Sequence, residues 1–393
     1  MHKLLSNKKK KNMIKRVASL FLFAMFSATA ALAATAPLET AAQHAILMDA
    51  DTGTVLFEKA PDEQMYPAST TKIMTAYLVF EKLRSGELTL EQEFITSQNA
   101  WKTEGSRMFL EANKPVSVGN LIQGIIVQSG NDASVAMAEA ISGSVTTFAD
   151  LMTEKAQQLG MKNSFFRNPD GLPDPSHVTT VHDLAILAQH LINDFPEYYH
   201  YFGQREFEYN KINQHARNPL LRTTAGADGL KTGYTADAGY NLVGSVKRGD
   251  QRLILVISGC TSPSEREKEA VKIVEWGFRE FRTYKLFKKG QTVADASVWL
   301  GKQQHVPLVT DQDIIATLPV LRRTTDFTAK VTYTGPLHAP VKAGTVVGEL
   351  VIGHPMLLKP FSVKLKVGED VEKIGFAQQA QKKFRYMFFG DLY

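Results

Sequence analysis

Pro67-Ala68-Ser69-Thr70-Thr71-Lys72-Ile73-Met74-Thr75-Ala76-Tyr77-Leu78-Val79-Phe80 decides how the rest of the chain is read. From Ile73 to Phe80 only Thr75 is not apolar, and a helix that is hydrophobic nearly all round belongs at the centre of a domain. Two polar side chains enter that centre at its first turn. Ser69 lies just after a proline at a helix start, where unpaired backbone N–H groups and the positive end of the helix dipole favour developing negative charge. Lys72 is three residues on, so hydroxyl and amine share one face, one turn apart, and the amine can take the hydroxyl's proton. Ser-x-x-Lys is nonetheless a cheap pattern, expected roughly twice by chance at this length and ordinary composition. Ser6-Asn7-Lys8-Lys9 is such a match. On spacing alone, Ser69 reads better as a helix cap than as a nucleophile.

Working outward, two apolar runs, His44–Asp49 and Val55–Glu58, flank Asp51-Thr52-Gly53 and read as a β-hairpin. Residues 87–115 are polar with little period and are assigned loosely to strands and loops. A helix is expected from about Val118 to Val127, stopping at Ser129-Gly130-Asn131, with a second helix beginning at Asp132 as its N-cap. The tripeptide would then sit at a helix–helix corner. Further helices are expected over Met152–Met161 and after Thr180-Val181-His182-Asp183, which resembles a capping box, with Asn168-Pro169-Asp170-Gly171 as a turn between them. His177, His182 and His190 have no metal-site spacing and are given surface or capping roles.

Beyond Asp228–Thr235, Tyr240–Lys247 and Arg252–Cys260 read as strands joined across Arg248-Gly249-Asp250-Gln251, followed by a helix from about Ser264 to Phe281. Strands at both ends of residues 34–284 and helices in the middle imply an antiparallel sheet flanked by helices, with a helical subdomain. After Tyr284 short β-like runs alternate with turns, as in Thr325–Tyr333, and 285–366 reads as a small all-β domain. Residues 367–393 read as a linker and an amphipathic helix. Phe376, Ala377, Ala380, Phe384, Met387 and Phe388 fall on one side of it, and Gln378, Lys382 and Arg385 lie opposite. Such a helix suits insertion into a membrane surface, docking on the β domain being the alternative.

The net charge of +5 invites a nucleic-acid reading, which its distribution removes. Residues 1–33 hold seven Lys and Arg and no Asp or Glu, so taking that +7 from +5 leaves −2 for the remainder. The basic start, the apolar run through Phe21, Phe23, Met25 and Phe26, and Ala31-Leu32-Ala33 have the three parts of a secretory signal peptide, cleaved after Ala33 or Ala36. The single cysteine, Cys260, ends an apolar run and reads as a buried structural thiol. With no internal disulfide open to it, the exported chain must be stabilised by its core.

Two further motifs raise the standing of Ser69. Lys231-Thr232-Gly233 is expected by chance on the order of one time in ten at this length. Ser129-Gly130-Asn131 is a weaker signal, since Ser97-Gln98-Asn99 also matches, but its place at a helix corner favours it. Ser-x-x-Lys, Ser-x-Asn and Lys-Thr-Gly in that order are the signature of active-site serine enzymes that react with D-Ala-D-Ala peptides and β-lactams. Around them Pro67–Lys72, Gln128-Ser129-Gly130-Asn131-Asp132-Ala133, Asp228–Gly233 and Ala238-Gly239-Tyr240-Asn241-Leu242-Val243, with Arg266 through Trp276-Gly277-Phe278, resemble the low-molecular-mass penicillin-binding proteins, serine-type D-alanyl-D-alanine carboxypeptidases. The resemblance covers essentially all of residues 34–393, β domain and tail included.

It implies an α/β fold of the β-lactamase/transpeptidase type and removal of the terminal D-Ala from peptidoglycan pentapeptide stems, with inhibition by β-lactam antibiotics. It also implies an acyl-enzyme on Ser69, Lys72 as neutral base, Ser129 as proton relay and Asn131 on the substrate amide. Backbone N–H groups of Ser69 and Tyr234 would form the oxyanion hole. Lys231, Thr232 and Arg266 would bind the terminal carboxylate, and Arg217 the peptide. Tyr234 stands where relatives often carry His, and Arg217-Asn218-Pro219-Leu220-Leu221-Arg222 departs somewhat from the family pattern. No cofactor, metal or nucleic acid is implied. The exported protein is expected peripherally on the periplasmic face of the inner membrane. A DD-endopeptidase, a weak β-lactamase and a catalytically idle wall-binding scaffold are the competing readings.

Overall fold

A computed structural model describes residues 38–320 and 328–390; the expected signal peptide and residues 325–327 of the run to Tyr333 lie outside them. Strands β1 (His44–Asp49) and β2 (Val55–Lys59) form the hairpin, and helix α1 (Lys72–Arg84) follows a 3-10 turn over Ala68–Thr71. Every residue of α1 from Lys72 to Phe80 is buried, as its all-round apolar sequence requires. Further helices in the middle of the chain include α2 (Val118–Gln123), α3 (Asn131–Ser142), α4 (Val145–Gln158) and α5 (Val181–Asp194). Strands β3 (Ala227–Thr235), β4 (Gly239–Arg248) and β5 (Gln251–Cys260) then return to the hairpin, and α6 (Pro263–Glu280) closes the unit.

The five strands make one antiparallel sheet in the order β2-β1-β5-β4-β3, so both ends of the unit meet at the β1–β5 pairing. Its Leu253–Ile257 run is buried on both faces. Ile46, Met48, Ile254 and Val256 join the core that contains α1 and α5, while Leu47 and Leu253 point the other way, onto Gly277 of α6. Period-2 alternation thus serves two helical layers at once. Cys260 is buried and unpaired, and burial pushes its thiol up to about 12.

Several local expectations are corrected. The stretch 87–115 contains a helix, Gln98–Lys102, capped by the Ser97 hydroxyl, and the short strand pair Glu93–Ile95 with Pro115–Ser117. The helix placed over Met152–Met161 starts at Val145, capped by Ser144. Asp132 is no cap: Gly130 holds that position, and the fully buried Asp132 carboxylate accepts instead from the N–H groups of Met108 and Leu110. Thr180 does cap α5, but Asp183 does not close the box, because its carboxylate accepts from Asn163 N–H and the Ser164 hydroxyl. His177 is buried rather than on the surface; its Nε2 lies 2.9 Å from Thr71 Oγ1. Burial draws its pKa down to about 4, which keeps it neutral at pH 7.

From Phe281 the chain is almost wholly β. Phe281–Phe287 pairs with Ile314–Pro319, and six further strands form a second sheet around Ala296, Val298, Leu308, Leu350 and Leu365. At the junction with the first sheet, the Thr283 hydroxyl donates to buried Asp49 at 3.1 Å, and the Thr52 and Thr317 hydroxyls lie 3.1 Å apart. Helix α7 (Phe376–Phe389) ends the described chain.

Candidate active site

Ser69 sits in the 3-10 turn ahead of α1 and is the one partly exposed residue between Pro67 and Phe80. The turn is held from three sides. Asn241 on β4 is 1 % exposed; its Nδ2 donates to the Tyr66 and Pro67 carbonyls at 3.0 and 3.4 Å, and its Oδ1 accepts from the Ser258 hydroxyl and Gly259 N–H. Gly233 on β3 packs so closely that a Cβ there would lie 2.8 Å from Pro67 O and 3.1 Å from Ser69 N. Gly171, at φ +83°, packs against Ala68 with the same intimacy. Ala68 itself has φ +50°, a conformation that a non-glycine residue keeps only where its surroundings impose it.

Lys72 is fully buried behind this turn. Its Nζ donates to Ser69 Oγ at 3.2 Å, Asn131 Oδ1 at 2.7 Å and the Asp170 carbonyl at 2.6 Å. Desolvation draws its pKa from 10.5 to about 8, against the pull of the Asp170 charge. Lys231 is also buried, its Nζ 3.2 Å from the Thr232 carbonyl, and desolvation with the neighbouring cations Lys72, Arg217 and Arg266 holds it well below the usual ammonium range. Burial drives both lysines toward neutrality, and strongly shifted groups of this kind cluster at sites of acid–base chemistry.

The helix corner supplies the third side. After α2 the chain widens into a π turn, Gly124–Gln128, and Ser129 takes φ +65°. Its hydroxyl is buried and has no hydrogen-bond partner. Asn131 follows, its Nδ2 donating to Glu104 O at 2.7 Å and its backbone N–H to Ser106 O at 2.7 Å. One amide hydrogen and one lone pair of Asn131 stay unspent.

Ser69, Ser129 and Asn131 line a cavity of about 490 Å³, with Thr232, Gly233 and Tyr234 of β3 opposite; the two lysines lie behind the wall. Arg217 and Arg266 also line it, so it is suited to an anionic group. Arg217 donates to Ser106 Oγ at 2.8 Å. Arg266 lies 5.8 Å above the Tyr240 ring, which stacks on Tyr234, and its buried Nε has no partner. Of the site residues expected from the sequence, Ser69, Ser129, Asn131, Arg217, Thr232, Gly233, Tyr234 and Arg266 line this cavity, Lys72 meets Ser69 and Asn131, and Lys231 precedes Thr232 on β3. Sequence reading missed Asn241, Ser106 and the Asp170 carbonyl. Asn241 lies in a run that resembles the family, but its residue type alone suggests no role, and a backbone carbonyl leaves no residue-type signal. Among the described residues no group of three or more His, Cys, Asp or Glu is placed to hold a metal ion.

The profile of the D-alanyl-D-alanine carboxypeptidase family matches residues 30–262, and that of the penicillin-binding protein 5 C-terminal domain matches residues 281–373. The chain is 40 % identical over 370 residues to the D-alanyl-D-alanine carboxypeptidase DacC of Escherichia coli, covering 91 % of each. It is 37 % identical over 352 residues to DacA of Haemophilus influenzae, covering 86 % of this chain and 90 % of that one. Among solved structures, penicillin-binding protein 5 from Haemophilus influenzae superposes with a TM-score of 0.77 at 38 % identity, covering 86 % of this chain and all of that one. Penicillin-binding protein D2 from Listeria monocytogenes, solved in an ampicillin-bound form, superposes with a TM-score of 0.57 at 29 % identity, over 62 % of this chain and all of that one.

Proposed function

This chain belongs to the D-alanyl-D-alanine carboxypeptidase family and is a serine-type D-Ala-D-Ala carboxypeptidase acting on peptidoglycan; we propose that Ser69 is its nucleophile and Lys72 its general base. Ser69 Oγ attacks the carbonyl carbon of the penultimate D-Ala as its proton passes to neutral Lys72 Nζ. The oxyanion is held by the backbone N–H groups of Ser69 and Tyr234, where one donor is worth roughly 3 kcal/mol. The C–N bond breaks, and the leaving D-Ala amine takes a proton relayed through Ser129. Water then attacks the ester carbonyl as one of its protons passes to neutral Lys72 Nζ; the C–Oγ bond breaks and that proton is delivered to Ser69 Oγ. Asn131 holds the substrate amide with its unspent groups. Lys231, Thr232 and Arg266 bind the terminal carboxylate, with Arg217 on the peptide at the cavity rim.

The observation that carries this reading is a fully buried amine, drawn down to about 8, at 3.2 Å from a part-exposed hydroxyl. No glutamate lines the cavity among the described residues, so fast β-lactam turnover lacks its usual base and β-lactams act as slow, acylating inhibitors. Release of D-Ala from a D-Ala-D-Ala-terminated pentapeptide tests the reading: wild type releases it and Ser69→Ala does not. Cleavage of cross-linked dimers without D-Ala release favours an endopeptidase, and neither reaction favours a scaffold.

The same reading takes 1–33 as a signal peptide, 34–284 as the catalytic domain, 285–366 as the β domain and 367–393 as linker and anchor. It sets the protein on the periplasmic face of the inner membrane. Phe376 is 88 % and Met387 70 % exposed on α7, whereas Tyr386 meets Trp299 of the β domain at 5.4 Å. An apolar side left in water while the other side meets the domain supports the membrane over docking. No described helix is long and apolar enough to cross a membrane.

A further inference from the structure

The wall of the cavity that carries Gly105 and Ser106 continues into Met108-Phe109-Leu110. Met108 and Leu110 are 0 % and 2 % exposed, whereas Phe109 between them is 47 % exposed at φ +69°. Outward alternation is ordinary for an extended chain, but a positive φ at a bulky residue is not. Its cause is the buried Asp132 carboxylate, which accepts from Met108 N–H at 2.9 Å with one oxygen and from Leu110 N–H at 3.1 Å with the other. That grip fixes both neighbours and leaves the ring turned into solvent. Asp132 directly follows Asn131, so the ring is rigidly referenced to the cavity.

Polar groups stand beside the backbone that carries the ring. Asn210, at the tip of the hairpin made by Glu206–Tyr209 and Ile212–His215, lies 3.3 Å from the Phe109 carbonyl and 3.3 Å from a Glu111 carboxylate oxygen. Ile212 on the same hairpin is 39 % exposed. On the other side the Arg107 guanidinium donates to the carbonyl of Trp101, which is 40 % exposed. Strained backbone persists where it serves a purpose, and an exposed apolar face rimmed by polar groups marks a contact surface. An exposed aromatic ring on a segment whose backbone adjoins an amide and a carboxylate suits a pyranose ring, whose C–H face is apolar and whose rim carries hydroxyls. We propose that Phe109, with Asn210 and Glu111, binds a sugar ring of the peptidoglycan glycan strand and adds affinity for wall over free peptide. This rests on the carboxypeptidase reading, since the stem peptide reaches the cavity attached to that strand.

The test compares Phe109→Ala, Phe109→Gly and Phe109→Trp with wild type on three substrates: a free pentapeptide, a disaccharide-pentapeptide and intact sacculi. The glycine variant keeps the positive φ without a side chain, guarding against misfolding of the alanine one. Removing the ring is expected to leave kcat/KM on the free peptide within about twofold and to lower it on sacculi about tenfold, mainly through KM, with Phe109→Trp restoring it. The same loss on the disaccharide-pentapeptide assigns the contact to the substrate's own strand; loss on sacculi alone assigns it to a neighbouring strand. Penicillin-blocked protein should also co-sediment less with peptide-stripped glycan when the ring is removed. Equal losses on all substrates, no loss on any, or a change of oligomeric state in place of a sacculus-specific loss would overturn the proposal. Failure of wild type to release D-Ala from free peptide would instead overturn the carboxypeptidase reading.

Discussion

At the scale of residues, the proposed mechanism turns on a lysine that must lose its proton to act. Lys72 is drawn down to about 8 by burial, and only its neutral form accepts the Ser69 proton. Acylation by a β-lactam should therefore rise about tenfold per pH unit below about 8 and level off above it, which stopped-flow acylation rates from pH 5.5 to 9.5 would measure. Lys72→Arg keeps the charge but cannot deprotonate, so it should slow acylation by about 10²- to 10⁴-fold. Because the folded Lys72 pKa lies below the unfolded one, the unfolded chain binds more protons between about pH 8 and 10.5, and Lys72 contributes stability that rises with pH across that window. Asn241 should act through Ser69 without touching substrate: Asn241→Ala frees the turn and is expected to lower kcat about tenfold with KM within about twofold. The legible residues were those whose types carry chemistry at fixed spacing. Those that are not, Asn241, the Asp170 carbonyl and Ser106, meet the Ser69 turn, Lys72 and Asn131 respectively only across the tertiary fold.

At the scale of elements, sequence pattern succeeded where burial was uniform and failed where side chains reached across. The largely apolar run Ile73–Phe80 of α1 and the doubly buried β5 left no alternative placement. The corner after α2 was placed correctly, but the π turn before it follows from tight packing of Gly124 on Met108, which no local pattern encodes. Asp132 looked like a cap because caps and buried backbone clamps use the same residue type. The turn Asn168–Gly171 was legible as a turn, though not as a support for the Ser69 turn. Gly171→Ala would place a Cβ 1.9 Å from Ala68 O at a positive φ. It should cost about 1–3 kcal/mol in chemical denaturation and slow acylation as well; wild-type values of both would contradict the packing role.

At the scale of the whole molecule, a five-stranded sheet built from both ends of its unit sets β3 beside the Ser69 turn, and a β-rich unit follows α6. The sequence foretold that order because composition and period change together near residue 284, while the Asp49, Thr283, Thr52 and Thr317 contacts at the junction carry no sequence signal. Truncation after Asp370 is expected to move the mature protein from the membrane to the soluble fraction, and continued membrane association would refute the anchoring role of α7. On the proposed mechanism Ser69 forms the acyl bond. Intact-protein mass spectrometry after brief exposure to penicillin should show wild type heavier by one penicilloyl group and Ser69→Ala unchanged. An adduct retained on Ser69→Ala, or none on wild type, would contradict it.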